Sequence, residues 1–138
     1  MIDTKTAKML LDVAIKARHG AYAPYSHFLV GAALLCEDGE IISGANVENA
    51  SYGAGICAER TAIFSAVAKG KKRFTAIAIV GGRSDGEPSE EVYPCGICRQ
   101  VMAEFFTPDT SVIVGYGDNV KICRFSEILP HAFTADSL

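Results

Sequence analysis

Cys57-Ala58-Glu59 and Pro94-Cys95-Gly96-Ile97-Cys98 hold the residue types in this chain best suited to chemistry. Three thiolates can bind Zn²⁺, a cation that accepts sulfur ligands. Three protein ligands leave the fourth tetrahedral position open to water, the arrangement of a catalytic zinc rather than a structural one. Cys95 and Cys98 are one helical turn apart and project from one face. Pro94 suits the opening of a helix, so both cysteines fall at a helix start, where the dipole and free amides favour the thiolate. Cys57 is expected at the start of another helix, with Glu59 in its first turn. Residues two apart in a regular helix do not face one another, so Glu59 is read as a proton shuttle beside the water and not as a ligand. Three thiolates exceed the charge of one Zn²⁺, and a neighbouring cation is expected; Arg60 and Arg99 both lie close in sequence. A closed four-cysteine site would need Cys36 or Cys123. Neither has a C-x-x-C partner, and both lie in apolar segments that read as buried.

Asn46 and Glu48 form a second constellation. Strand periodicity puts them on one face, where an amide beside a carboxylate suits the hydroxyls of a ribose or another polyol. On these residues alone a polar edge strand explains them better. Phe28, ahead of an apolar strand, reads as plain core more readily than as a binding residue, and Tyr22, Tyr25, Tyr52 and Phe133 carry the same ambiguity.

The elements that must position these groups follow from periodicity and turn chemistry. Thr4 to Arg18 predicts a helix, with Leu10, Leu11, Ala14, Ile15 and Ala17 at helical spacing, Asp3 or Thr4 as cap, and Gly20 and Pro24 beyond its end. Phe28 to Cys36 predicts a strand. Asp38-Gly39 marks a hairpin, and a second strand runs from Ile41 to about Glu48. Ser51 to Ile56 reads as a loop and Cys57 to Ala68 as a helix closed by Gly70. Phe74 to Val80 reads as a buried central strand, and Gly81 to Tyr93 as an exposed loop. A helix from about Cys95 to Phe106, strands at Ser111 to Gly115 and Val120 to Arg124, and a short helix near Ser126 complete the chain. This order predicts an α/β fold, a sheet of about five strands covered by helices on both faces.

The 138 residues suffice for one domain with a single core. A net charge of −3 gives no basis for a nucleic-acid partner, which calls for a basic face; Lys69-Gly70-Lys71-Lys72-Arg73 reads as a solvated turn. No segment is long and apolar enough for a membrane span, and Met1 to Lys5 lacks a signal-peptide layout. Five cysteines, an odd number, argue against a disulfide framework. A cytoplasmic location, where thiols stay reduced, is expected.

Together these segments resemble the zinc-dependent cytidine deaminases, whose signature pairs a metal ligand two residues before a Glu with a later Pro-Cys-x-x-Cys. The similarity runs along nearly the whole chain: Tyr22-Ala23-Pro24-Tyr25-Ser26, Phe28-Leu29-Val30-Gly31-Ala32, Asn46-Val47-Glu48-Asn49-Ala50-Ser51-Tyr52, Cys57-Ala58-Glu59-Arg60-Thr61-Ala62, Pro94-Cys95-Gly96-Ile97-Cys98-Arg99-Gln100 and Leu129-Pro130-His131-Ala132-Phe133. Cys57 in place of His resembles the small, homotetrameric, free-nucleoside branch. The resemblance implies a three-layer α-β-α cytidine-deaminase-like domain with a mixed sheet over residues 1–138. It implies one Zn²⁺ per subunit on Cys57, Cys95 and Cys98, with Glu59 carrying a proton from water to N3 of the pyrimidine. It further implies contacts to the nucleoside from Phe28, Asn46, Glu48, Ala50, Tyr52, Ala58 and Phe133, with Ala50, Tyr52 and Phe133 reaching a neighbouring subunit's site, and Arg60 hydrogen-bonding the thiolates.

The implied reaction is hydrolysis of cytidine and 2′-deoxycytidine to uridine and 2′-deoxyuridine with release of ammonia, a step of pyrimidine salvage. Two other readings are a deaminase of a cytosine-nucleoside antibiotic such as blasticidin S and a zinc-stabilised binding module without catalysis. An editing deaminase would need an electropositive channel, which an acidic chain does not predict.

Overall fold

Asp3 begins the fold. In the computed structural model, which describes residues 1–138, its carboxylate accepts from the Thr6 N–H at 2.8 Å and caps α1 (Thr4–Arg18). Ala7, Leu10, Leu11 and Ala14 lie on the buried face of this helix. A hairpin follows, β1 (Phe28–Cys36) antiparallel to β2 (Ile41–Ala45). The turn between them is closed by the Gly39 N–H donating to Cys36 O at 2.9 Å. Gly39 has φ +93°, a conformation that suits glycine.

β2 is shorter than its sequence predicts, ending at Ala45 rather than near Glu48. The Asn46 side chain is the reason. Its Oδ1 accepts from the Val30 N–H at 2.8 Å and its Nδ2 donates to Phe28 O at 2.9 Å. A side-chain amide thus takes the β1 groups that a longer β2 would have paired. Beyond it Val47 makes only isolated bridges, to Tyr22 and Ile56.

The sheet order is β2-β1-β3-β4-β5, with β3 (Phe74–Arg83), β4 (Ser111–Tyr116) and β5 (Asn119–Arg124). Only β3 and β4 are parallel, so the sheet is mixed. β3 extends three residues past the expected Val80. Gly81 and Gly82 read as turn residues, but here they permit close approach. A Cβ on Gly81 would come within 2.8 Å of the Phe28 ring, and one on Gly82 within 3.0 Å of Pro88 Cα.

The alternation Ala76-Ile77-Ala78-Ile79 separates the two faces. Ala76 and Ala78 meet Leu10, Leu11 and Ala14 of α1. Ile77 and Ile79 meet Ile63 and Met102, from α2 (Ala58–Ala68) and α3 (Gly96–Phe105). Each fully buried isoleucine contributes roughly 2–3 kcal/mol. The alanine side lets α1 sit close: a Cβ on Gly31 would lie 2.0 Å from Ala14 O. The result is the expected three-layer α-β-α arrangement, finished by α4 (Phe125–Ile128) and 3₁₀ turns at Tyr52–Ala54 and Ala135–Ser137. No helix is long and apolar enough to cross a membrane.

Candidate functional site

Cys57 is the N-cap of α2 and Cys95 the N-cap of α3, both extended in backbone, and neither spends its side chain on a capping bond. Cys98 follows in the first turn of α3 and is fully buried. The three Sγ atoms lie within 4.8 Å of one another, with Cys57 and Cys95 3.8 Å apart. Zn–S arms of about 2.3 Å in a tetrahedron end about 3.8 Å from each other, so the donor set suits Zn²⁺ in softness and the Cys57–Cys95 pair stands at that spacing. Cys36 and Cys123 are buried elsewhere in the core, and Cys123 Sγ donates to Val112 O at 3.4 Å. They stay outside the thiol cluster, which disposes of the closed four-cysteine site.

The two arginines divide their work. Arg60 Nη2 donates to Cys57 Sγ at 3.6 Å, and its Nε is buried without a partner. Arg99 instead donates to Pro94 O at 2.7 Å and Ile128 O at 2.6 Å, holding the backbone just ahead of Cys95. The cation at the sulfurs is therefore Arg60. Donation from the Cys98 thiol, helped by Arg60 and Cys95 and opposed by burial, pushes Cys57 down to about 5. The same sharing, with burial, pushes Cys98 up. The sharing favours the thiolate at Cys57, the form that ligates.

Glu59 sits one residue into α2 and is 3% exposed. Burial pushes its carboxyl up to about 7, with the Cys57 thiolate adding to the rise and its own N–H and Arg60 opposing it. A carboxyl poised near neutrality suits transfer of a proton in either direction.

Cys57, Glu59, Arg60 and Cys95 line a cavity of about 520 Å³, a size suited to a small molecule. Asn46, Glu48 and Tyr52 line it as well, and so does Ala58 beside Glu59. Asn46 reaches the cavity with part of its amide already used by β1, as described above. Glu48 Oε1 accepts from Tyr25 N at 3.0 Å and Ser26 N at 3.1 Å. The Ser26 hydroxyl, then the Ser26 and Tyr25 N–H groups, with His27 nearby, hold its carboxyl below the usual range. Phe28, Ala50 and Phe133 do not line the cavity. The Phe28 ring packs over Gly81, Ala50 is exposed ahead of the 3₁₀ turn, and the exposed Phe133 is fixed through its carbonyl by Gln100 Nε2 at 2.9 Å.

Val92 and Tyr93 also form cavity wall, in a stretch whose polarity predicts an exposed loop. Two adjacent apolar residues just before Pro94 were the available sign that this stretch turns inward. Tyr25 lines the cavity too, its ring 6.0 Å from that of Tyr52.

Comparison with known proteins agrees with this geometry. Residues 4–116 match the family described as the cytidine and deoxycytidylate deaminase zinc-binding region. The chain is 53% identical over 133 residues to a cytidine deaminase of Halalkalibacterium halodurans, covering 95% of this chain and 96% of that one. It is 44% identical over 130 residues to a cytidine deaminase of Sporosarcina psychrophila, covering 94% and 92%. The crystal structure of cytidine deaminase from Burkholderia pseudomallei superposes with a TM-score of 0.83 at 47% identity, over 91% of this chain and 98% of that one. With three thiols gathered within 4.8 Å of one another, a buried glutamate beside them, and sequence and fold similarity along almost its full length, the chain belongs to the cytidine and deoxycytidylate deaminase zinc-binding family.

Proposed function

We propose that this protein hydrolyses cytidine and 2′-deoxycytidine to the corresponding uridines and ammonia, with residues 1–138 acting as a single catalytic domain. The observation that carries the reading is the buried Glu59 carboxyl beside the three-thiol cluster, with Glu59, Cys57 and Cys95 in the wall of a nucleoside-sized cavity. Cys57, Cys95 and Cys98 hold one Zn²⁺ per subunit. When bound, the ion supplies a Lewis acid that makes a water acidic enough to attack near neutral pH.

The chain's own residues do the rest. Glu59 takes a proton from the attacking water and delivers it to N3 of the pyrimidine as the water oxygen bonds to C4. It then carries the remaining hydroxyl proton to the 4-amino group, the C4–N bond breaks, and ammonia departs. Arg60 offsets the thiolate charge through its contact with Cys57. Asn46 and Glu48 bind the sugar hydroxyls, using the donor and acceptor capacity that their backbone bonds leave free, while Ala58, in the cavity wall, flanks the base. Ala50, Tyr52 and Phe133 reach the site of a neighbouring copy in a homotetramer; the exposure of Tyr52 at 80% and Phe133 at 60% supports that role. A reducing cytoplasm, which keeps the thiols free, and a place in pyrimidine salvage complete the proposal.

The test follows the fall in ultraviolet absorbance on loss of the 4-amino group, with Glu59→Gln in parallel. Wild type should turn over both nucleosides, and the mutant should keep zinc while losing activity. Zinc-loaded, folded protein inactive on both nucleosides would overturn the assignment and point first to a modified cytosine nucleoside. An active Glu59→Gln variant would overturn the proton-shuttle role.

A further inference from the structure

Arg18, the last residue of α1, is 2% exposed. No carboxylate pairs with it; all its acceptors are main-chain carbonyls. Nε donates to Leu29 O at 3.4 Å, and Nη2 lies 3.0 Å from Gly82 O, 3.0 Å from Arg83 O and 3.5 Å from Gly86 O. Burying a cation without an anion is costly, and an apolar side chain of similar volume would fill the space at less expense. Stability alone gives no reason for a guanidinium here. What it does is join three pieces of backbone: the start of β1, the end of β3 and the segment that follows.

That segment is a strap, Ser84 to Tyr93. It leaves β3 and returns as Val92 and Tyr93 in the cavity wall, immediately before Pro94-Cys95. Its near end is fastened by Arg18 and by the Ser84 N–H donating to His27 O at 2.8 Å. Pro88 folds back over Gly82, where an added Cβ would lie 3.0 Å from Pro88 Cα. At the far end Tyr93 Oη donates to Glu91 Oε2 at 3.1 Å, and Lys121 Nζ lies 3.8 Å from the same oxygen and 5.8 Å from the Tyr93 ring centre. The metal ligands have a separate support, because Arg99 Nε donates to Pro94 O.

We propose that Arg18 is a positioning residue for the deamination: it pins the strap to the sheet and so holds Val92 and Tyr93 as a fixed wall against the nucleoside. The proposal rests on the deaminase reading and adds to it a residue that touches neither substrate nor metal. It separates two functions of one loop, substrate grip under Arg18 and metal retention under Arg99.

The experiment compares wild type with Arg18→Gln, Arg18→Lys and Pro88→Gly. Steady-state kinetics on cytidine, zinc content, and hydrogen–deuterium exchange are read on the zinc-loaded protein. Arg18→Gln should raise KM on the order of tenfold with kcat within about threefold, the signature of lost binding rather than lost chemistry. Zinc should stay at one per subunit, and exchange should accelerate in residues 84–93 and not in α3 or β4. Arg18→Lys, which keeps the charge and loses the fork, should fall between. Pro88→Gly loosens the strap while leaving the guanidinium in place and should also raise KM, which keeps the idea testable if Arg18→Gln misfolds. Unchanged KM in the face of faster strap exchange would overturn it, as would zinc loss or exchange spread evenly over the domain. If wild type fails to deaminate cytidine, the functional reading falls, while strap exchange still decides whether Arg18 holds the strap.

Discussion

Gly44 of β2 sets the position of α2, and with it Cys57 and Glu59. A Cβ there would lie 2.6 Å from Ala58 O and 2.6 Å from Ala62 N, with Ala62 Cα at 3.1 Å. These are helix backbone atoms, not the ends of flexible side chains. To reach the 3.4 Å of ordinary contact, the first turn of α2 must retreat about 0.8 Å from the sheet. Overpacking of this kind costs about 1–3 kcal/mol, which a stable domain survives. Catalysis is less tolerant, since a displacement near 1 Å of a reacting group lowers rates on the order of a hundredfold. Cys57 and Glu59 ride on this turn, whereas Cys95 and Cys98 ride on α3, so the shift also opens the sulfur triangle. Gly44→Ala should therefore fold, unfold at lower urea concentration, and show kcat/KM reduced on the order of a hundredfold with weakened zinc retention. Urea titration, deamination kinetics and zinc competition with a chromophoric chelator measure the three quantities. A variant with wild-type kcat/KM would refute the claim that the β2–α2 contact places the proton carrier.

Arg60→Ala should speed zinc loss to a chelator by about tenfold or more, because it leaves the Cys57 sulfur without its Arg60 donor; Arg60→Lys should recover part of the difference. Free cytosine should be a poor substrate. Glu48 already accepts two backbone N–H groups, so discrimination in kcat/KM on the order of 10³ is expected, below the 10⁴ or more of a site whose polar group is left bare. The lowered Glu48 carboxyl stabilises the fold fully above its ordinary value, and that contribution is lost as the pH falls through the lowered value. Urea midpoints followed downward from about pH 5 should fall less in Glu48→Gln than in wild type.

Where chemistry and periodicity agreed, the fold was legible. Asp3 caps α1 as its side chain predicts, and Asp38-Gly39 turns the hairpin. Cys95 and Cys98 fall at a helix start because Pro94 marks that start. The misjudged boundaries share a cause: side chains substituting for backbone, or backbone approaching backbone. Nothing local indicates that Asn46 will take up the free groups of β1 and end β2. Gly81-Gly82 looks like a turn until Phe28 and Pro88 are seen to need the space. Arg18 reads as a polar helix end, since its partners at Gly82, Arg83 and Gly86 are distant in sequence. The same holds for Arg60 and Arg99, equally placed in sequence and separated only by what each reaches in space.

The convergence of the two N-cap cysteines follows from topology. α2 turns back into β3 through Lys69–Arg73, and α3 turns back into β4 through 106–110, so each helix runs opposite to the strand it precedes. Because β3 and β4 are parallel, both helix N-termini fall at the same edge of the sheet, outside the carboxyl ends of these strands, where ligands collect in open α/β sheets. An antiparallel β3–β4 pair would send Cys57 and Cys95 to opposite ends. The parallel pair in turn requires a crossover, and the strap is its first leg, emerging from β3 at the edge where the site lies. Zinc ligands, proton carrier and strap are thus three consequences of one parallel pairing. β2 is antiparallel to β1 and β1 to β3, so β2 ends at that same edge, and the residues that follow it, Asn46 and Glu48, line the cavity there.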